Sequence, residues 1–181
     1  MTSPSVPDIY QGNEIWCFSL VDPDNRRPVD FEIGRQLLST IDDALVDDRL
    51  SLLKSLLDAP EDGRIKLFLT TQTLRLRNRY AALFENLRLS INGPRSDNLV
   101  AFARRDPEQF VVILASRLMK HLLDEDDIWV NTRLELPADV PLHYSNIFTT
   151  GKLSAKAVDG HLELDIEDML GAFPVSLLVA G

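Results

Sequence analysis

The 181-residue sequence predicts an α+β chain, helical in its N-terminal half and an antiparallel β-sandwich in its C-terminal half. Three observations carry that prediction. Apolar residues recur at helical spacing from Phe31 to the mid-eighties. After Asn86 the pattern changes to short β-rich runs. Turn pairs such as Asp106-Pro107 and Asp159-Gly160 punctuate those runs at the close spacing of a sandwich. The division falls at residues 1–85 and 86–181.

In chain order, Val6–Gln11 reads as a buried strand entering a polar loop, "PDIYQGNE". From Phe31 to about Leu57 the apolar positions are Ile33, Leu37, Leu38, Ile41, Ala44 and Leu45, then Leu50, Leu53, Leu56 and Leu57. The rhythm breaks at Val46-Asp47-Asp48, where an aspartate suits the N-cap of a second helix. Ala59-Pro60-Glu61-Asp62-Gly63 interrupts again. A third helix is expected over Arg64–Glu85, burying Ile65, Leu69, Leu76, Tyr80 and Leu83 and exposing a basic face of Arg64, Lys66, Arg75, Arg77 and Arg79. Strands follow at Leu87–Ile91, before the Asn92-Gly93-Pro94 turn, then at Leu99–Ala103 and Phe110–Leu114. Ser154–Val158 pairs with His161–Ile166 across Asp159-Gly160, and Ala172–Val179 is the last strand.

A formal charge of -9 disfavours non-specific binding to nucleic acid or to an anionic membrane, since both require a basic surface. No apolar run approaches the roughly 20 residues of a membrane-spanning helix. Met1-Thr2-Ser3-Pro4-Ser5 lacks the basic region and apolar core of a secretory signal, so none is expected. The lone cysteine, Cys17, makes no internal disulfide and suits the cytoplasm. With no base partner in view, it reads as a packed thiol.

Phosphate-binding glycine loops, the G-x-S-x-G elbow and Cys/His zinc spacings are all missing, so no metal or cofactor is expected. His121, His143 and His161 stand far apart in unlike contexts and read as ordinary surface or hydrogen-bonded side chains. Asp124-Glu125-Asp126-Asp127 lacks the alternation and glycine of a calcium loop and reads as solvated chain.

The polar residues that invite a functional reading crowd the first thirty positions. They are Glu14, Asp22, Asp24, Asn25, Arg26, Arg27 and Asp30. Two adjacent arginines among carboxylates form either a structural loop clamp or a rim that grips hydroxyl-rich ligands. Tyr10, Trp16 and Phe18 could add stacking faces. Composition leaves both readings open.

"PDIYQGNE" resembles the G-x-P-x-I-Y-x-G-x-E segment that ends the eighth strand of the (β/α)8 barrel in the α-amylase superfamily. The longer stretch "VPDIYQGNEIWCFSLVDPDNRRPVDF" is similar to the maltooligosyltrehalose synthase family, with its D-P-D-N-R-R-P-V-D loop. "DGRIKLFLTTQTLRLR", "NLVAFAR", "LASRL" and "FPVSLL" agree with it, densely over Val6–Phe31 and thinly in the β half. Cys17 departs from it, standing where an acidic residue is expected. "HYSNIFTTGK" is a loose match to a later family segment.

The resemblance implies a cytoplasmic enzyme that converts the reducing-end α-1,4 linkage of a maltooligosaccharide into an α,α-1,1 linkage. It implies retaining chemistry, with an aspartate nucleophile and a glutamate acid/base about 5–5.5 Å apart. Those carboxylates belong to earlier barrel strands, so none is assigned here. The chain is then expected to be the tail of such an enzyme: the last barrel strand, its loop and helices, and the C-terminal sandwich. Tyr10–Glu14 and Asp22–Arg27 would rim the site, which makes Tyr10, Gln11, Glu14, Asp24, Asn25, Arg26 and Arg27 the substrate-binding residues that the resemblance implies. The chain alone is expected to be inactive. Deprived of sheet neighbours, its first few tens of residues are expected to be disordered, rearranged or buried in a homodimer. A different class remains: a stand-alone, non-enzymatic module that binds α-glucan or a protein through its sandwich.

Overall fold

The computed structural model describes residues 1–2, 8–19, 21, 26–80, 85–122 and 125–181, with only the backbone of Glu85 and Asn86. The chain divides into two compact units, Met1–Arg79 and Tyr80–Gly181. Among the described residues, four α-helices and two antiparallel sheets give a mixed α and β structure.

The first unit is built on three helices: α1 Phe31–Asp47, α2 Arg49–Asp58 and α3 Arg64–Arg79. Asp30 caps α1, its carboxylate accepting from the N–H groups of Glu32 and Ile33. Asp48 serves two helices. Its N–H bonds the Ala44 carbonyl to finish α1, and its side chain accepts from Ser51 N–H at 3.1 Å to start α2. A 3-10 turn at Pro60–Asp62 then leads through Gly63, at φ +81°, into α3. Ile41, Leu52, Leu53, Leu56, Leu67, Phe68 and Leu76 form the buried apolar set of this unit. Arg75 of α3 holds Asp42 of α1 through two nitrogens, at 2.7 and 2.8 Å.

The second unit holds ten strands among its described residues. They are β1 Glu85–Arg88, β2 Ser90–Asn92, β3 Leu99–Arg105, β4 Phe110–Ser116, β5 Arg133–Leu136, β6 His143–Asn146, β7 Lys152–Ser154, β8 Lys156–Val158, β9 His161–Asp165 and β10 Val175–Ala180. The six-stranded sheet runs β1-β3-β4-β10-β6-β7, and the four-stranded sheet runs β2-β5-β9-β8. Single residues carry the chain between sheets at both flanks: Leu89 links β1 to β2, and Ala155 links β7 to β8. A strand that bends from one layer into the next makes such a corner. Period-two alternation is clear in β5 and β9. There Leu134, Leu136, Leu162 and Leu164 point into one apolar cluster with Ala103, Phe110, Val112, Leu114 and Leu178 of the larger sheet. The short helix α4, Ile166–Leu170, adds Ile166, Met169 and Leu170 to that cluster.

Two turns show why their residues are there. Asp106 accepts from the N–H groups of Glu108 and Gln109, closing the β3–β4 hairpin. Asp159 and Gly160 both adopt positive φ, the requirement of a tight two-residue turn between β8 and β9.

Several expectations are corrected. Val6 and Pro7 of the expected strand lie outside the described residues. Its remainder forms no ladder: Asp8–Tyr10 is irregular and Gln11–Glu14 turns. No parallel neighbour is present among the described residues to pair its backbone. The third helix stops at Arg79 rather than Glu85, which already belongs to β1. Its buried stripe runs through Leu67, Phe68, Gln72, Thr73 and Leu76, because the helix packs against both α1 and α2. Ile65 and Leu69 are only half-buried, and Leu83 lies outside the described residues. Its arginines and lysine are not a bare basic face, since Arg64 pairs with Asp62 and Arg75 with Asp42. Leu87–Ile91 is two strands in two sheets, because buried Leu89 turns the corner. The last strand starts at Val175, not Ala172. No helix among the described residues is long and apolar enough to cross a membrane.

Candidate functional site

The first unit carries an open cleft of about 1050 Å³ between the Tyr10–Ser19 segment and the start of α1. The segment is fixed from below. A turn places Asn13 N–H on the Tyr10 carbonyl at 3.1 Å. The Trp16 indole Nε1 donates to the Pro60 carbonyl at 2.7 Å. Lys66 Nζ donates to the Ile15 carbonyl at 3.1 Å and lies 5.3 Å from the Trp16 ring centroid, over its face. Gly63 makes this close approach possible, since a Cβ there would meet Ile15 Cβ and Trp16 N at 3.1 Å. The far wall follows from the Asp30 cap, which sets the first turn of α1 and with it Phe31, Ile33 and Arg35.

Of the sequence-predicted residues, Tyr10, Gln11, Glu14 and Arg27 line this cleft. Arg26 is exposed and is not part of the lining. Asp24 and Asn25 lie outside the described residues, as does Asp22. Three aromatic side chains stand in the lining with much of their surface open: Tyr10 at 69 %, Phe18 at 82 % and Trp16 at 41 %. Phe31 and Ile33 are half exposed beside them. Apolar ring faces next to an amide, a carboxylate and a guanidinium suit a ligand that alternates apolar faces with hydroxyls. Among the described residues the lining carboxylates are Glu14 and Asp30, and the latter is engaged in capping α1.

Cys17 is exposed rather than packed. Hydrogen bonds from the Ser19 backbone and hydroxyl favour its thiolate, and Lys66 adds a smaller pull, so its pKa falls below the ordinary thiol value. Sequence reasoning missed this because the partner is a serine two residues on, not a histidine base. The latch of Trp16 on Pro60 was likewise invisible, since 44 residues separate donor and acceptor.

Among the described residues, the second unit gathers one group with metal-binding chemistry. Glu135, His161 and Glu163 bring three donor atoms within 4.8 Å of one another on the outward side of the four-stranded sheet. His161 and Glu163 are two apart on one strand, but only the β5–β9 register supplies Glu135. His143 bonds Ser154 Oγ at 3.0 Å instead, the ordinary role expected of it.

No family model matches the chain. Two proteins named maltooligosyl trehalose synthase, from Mycobacterium tuberculosis strains CDC 1551 / Oshkosh and ATCC 25618 / H37Rv, are each 35% identical to it over 137 residues. That alignment covers 76% of this chain and 15% of the relative. Among solved structures, a variant of the maltooligosyltrehalose synthase from Arthrobacter ramosus superposes with a TM-score of 0.66 at 28% identity. It covers 99% of this chain and 20% of that one. The chain thus spans well under a quarter of the length of these relatives. By sequence and by structure alike, the chain matches a C-terminal portion of the maltooligosyltrehalose synthases.

Proposed function

We propose that this chain supplies the C-terminal portion of an intramolecular transglucosylase, which converts the reducing-end α-1,4 linkage of a maltooligosaccharide into α,α-1,1. The 35% identity over 76% of the chain carries the reading. The first unit then corresponds to the end of a (β/α)8 barrel, and the second to the β-sandwich that follows it. The cleft between Tyr10–Ser19 and α1 is the part of the sugar-binding rim that this portion contributes. Tyr10, Trp16 and Phe18 offer faces for pyranose rings, while Gln11, Glu14 and Arg27 offer hydroxyl partners. Asp24, Asn25 and Arg26 complete the rim in this proposal, through the D-P-D-N-R-R loop. The nucleophile and the acid/base belong to other strands of the barrel, so the chain alone binds sugar weakly and turns nothing over. Its site of action is the cytoplasm.

The test is direct. Incubating the chain with maltohexaose and separating the products by carbohydrate chromatography should leave the substrate unchanged. In an intact synthase carrying this portion, Tyr10→Ala should raise KM about tenfold, the loss of one good stacking contact. Formation of maltooligosyltrehalose by the chain alone would overturn the proposal. Tight α-glucan binding by the second unit, surviving loss of the rim side chains, would instead favour a stand-alone binding module.

A further inference from the structure

The four-stranded sheet sets two carboxylates against each other. Glu135 of β5 and Glu163 of β9 are direct cross-strand partners, both on the outward face. Like charges in that position cost stability unless something positive lies between them. The neighbouring cations, Arg133 and Glu163's other cross-strand partner Lys156, bond a third carboxylate. Arg133 Nε and Lys156 Nζ both bond Asp165, at 2.5 and 2.9 Å. What faces the two glutamates is His161, two residues before Glu163 on the same side of β9. Its Nε2 stands 3.2 Å from Glu163 Oε1 and 3.8 Å from Glu135 Oε1.

Those distances match a coordination polyhedron. A tetrahedral ion bound at about 2.0–2.2 Å holds neighbouring donors roughly 3.4 Å apart. Glu135 is also oriented by Asn92, whose side-chain amide donates to the same carboxylate oxygen. Outer-sphere hydrogen bonds of this kind fix a ligand's aim. All three side chains are partly buried, with 23 to 31 % of their surface exposed, so an ion would be shielded yet reachable from solvent.

We propose that Glu135, His161 and Glu163 form a binding site for a divalent transition-metal ion of the zinc class, with water in the remaining coordination position. One imidazole and two carboxylates suit Zn²⁺ better than Mg²⁺ or Ca²⁺, which take oxygen donors. The ion would neutralise the cross-strand carboxylates and tie β5 to β9.

Isothermal titration with zinc chloride at pH 7.5 tests the site, using the full chain with Cys17→Ser so that the exposed thiol contributes nothing. One equivalent should bind, and the melting temperature should rise in a way that EDTA reverses. Glu163→Gln and Glu135→Gln keep the shape of the outward side chains, and each should weaken binding at least tenfold. His143→Asn should leave binding unchanged. Either the absence of saturable binding up to millimolar zinc, or full binding in a folded His161→Asn, Glu163→Gln double variant, overturns the assignment. A cluster held only by the hydrogen bond between His161 and Glu163 would show the first of these results.

Discussion

The indole nitrogen of Trp16 donates to the carbonyl oxygen of Pro60 at 2.7 Å, latching the cleft-forming segment to the turn that starts α3. Trp16→Phe keeps a ring in place but leaves that carbonyl without its donor. The cost should be about 1 kcal/mol, read by denaturant unfolding. Gly63→Ala should cost more than 1 kcal/mol, because the new Cβ enters a positive-φ backbone and presses on Ile15 and Trp16 at 3.1 Å. Unchanged midpoints in both variants would dismiss the latch.

Asp42 and Arg75 give a pH-dependent prediction. The guanidinium hydrogen bonds hold the Asp42 carboxyl below its ordinary value of 3.8. A carboxyl depressed in the folded state adds stability above its unfolded pKa and loses it as pH falls through the folded one. The difference between wild type and Asp42→Asn should therefore be full at neutral pH and fade below about pH 4. Both side chains are more than a third exposed, so its size should be only about 0.2–1 kcal/mol. Thermal melts at pH 7 and pH 2.5 would show whether the gap closes.

Cys17 should react with a disulfide reagent in the native chain, one equivalent per molecule, because it is exposed and is the sole cysteine. The midpoint of its rate against pH should lie below 9.0, since the Ser19 hydrogen bonds favour the thiolate. Ser19→Ala should move that midpoint up, though not fully, as the backbone contribution survives. A thiol that reacts only after denaturation would contradict the structure.

Two core substitutions should behave oppositely. Leu134→Ala removes a fully buried side chain shared by the cluster of both sheets and should cost about 2–5 kcal/mol. Tyr144→Phe removes a buried hydroxyl that has no protein hydrogen-bond partner among the described residues. It should leave stability unchanged or improve it. Burial also pushes the Tyr144 phenol well above its ordinary pKa. In an alkaline ultraviolet titration it should ionise only as the chain unfolds.

Local rules made much of this molecule readable. The break at Val46–Asp48, the Asp106 turn and the Asp159-Gly160 hairpin are each decided by a few adjacent residues, and each stands where the sequence placed it. The strands β5, β6 and β7 were overlooked because they are only three or four residues long, too short for alternation to register. Register and corner-turning are long-range properties. Nothing in Leu87–Ile91 reveals that Leu89 changes sheets, and nothing near His161 points to Glu135. Of the candidate site, the aromatic and polar character of Tyr10–Phe18 was legible. The opposing wall on α1 was not, since it depends on where the helix packs. The loose middle of the β half, "HYSNIFTTGK", turns out to hold a buried fixture. Asn146 donates to Ser176 Oγ and accepts from Phe148 N–H, both at 3.0 Å.

The single-residue crossings at Leu89 and Ala155 sit at opposite flanks of the double layer. Each outermost strand of the large sheet is thereby stitched covalently to an outermost strand of the small one. A foreign strand seeking to add itself meets a corner rather than a long flat border, which is one way proteins discourage edge-to-edge aggregation. The same stitching means that neither layer can peel away without dragging its neighbour, so this half of the molecule should melt as a single piece.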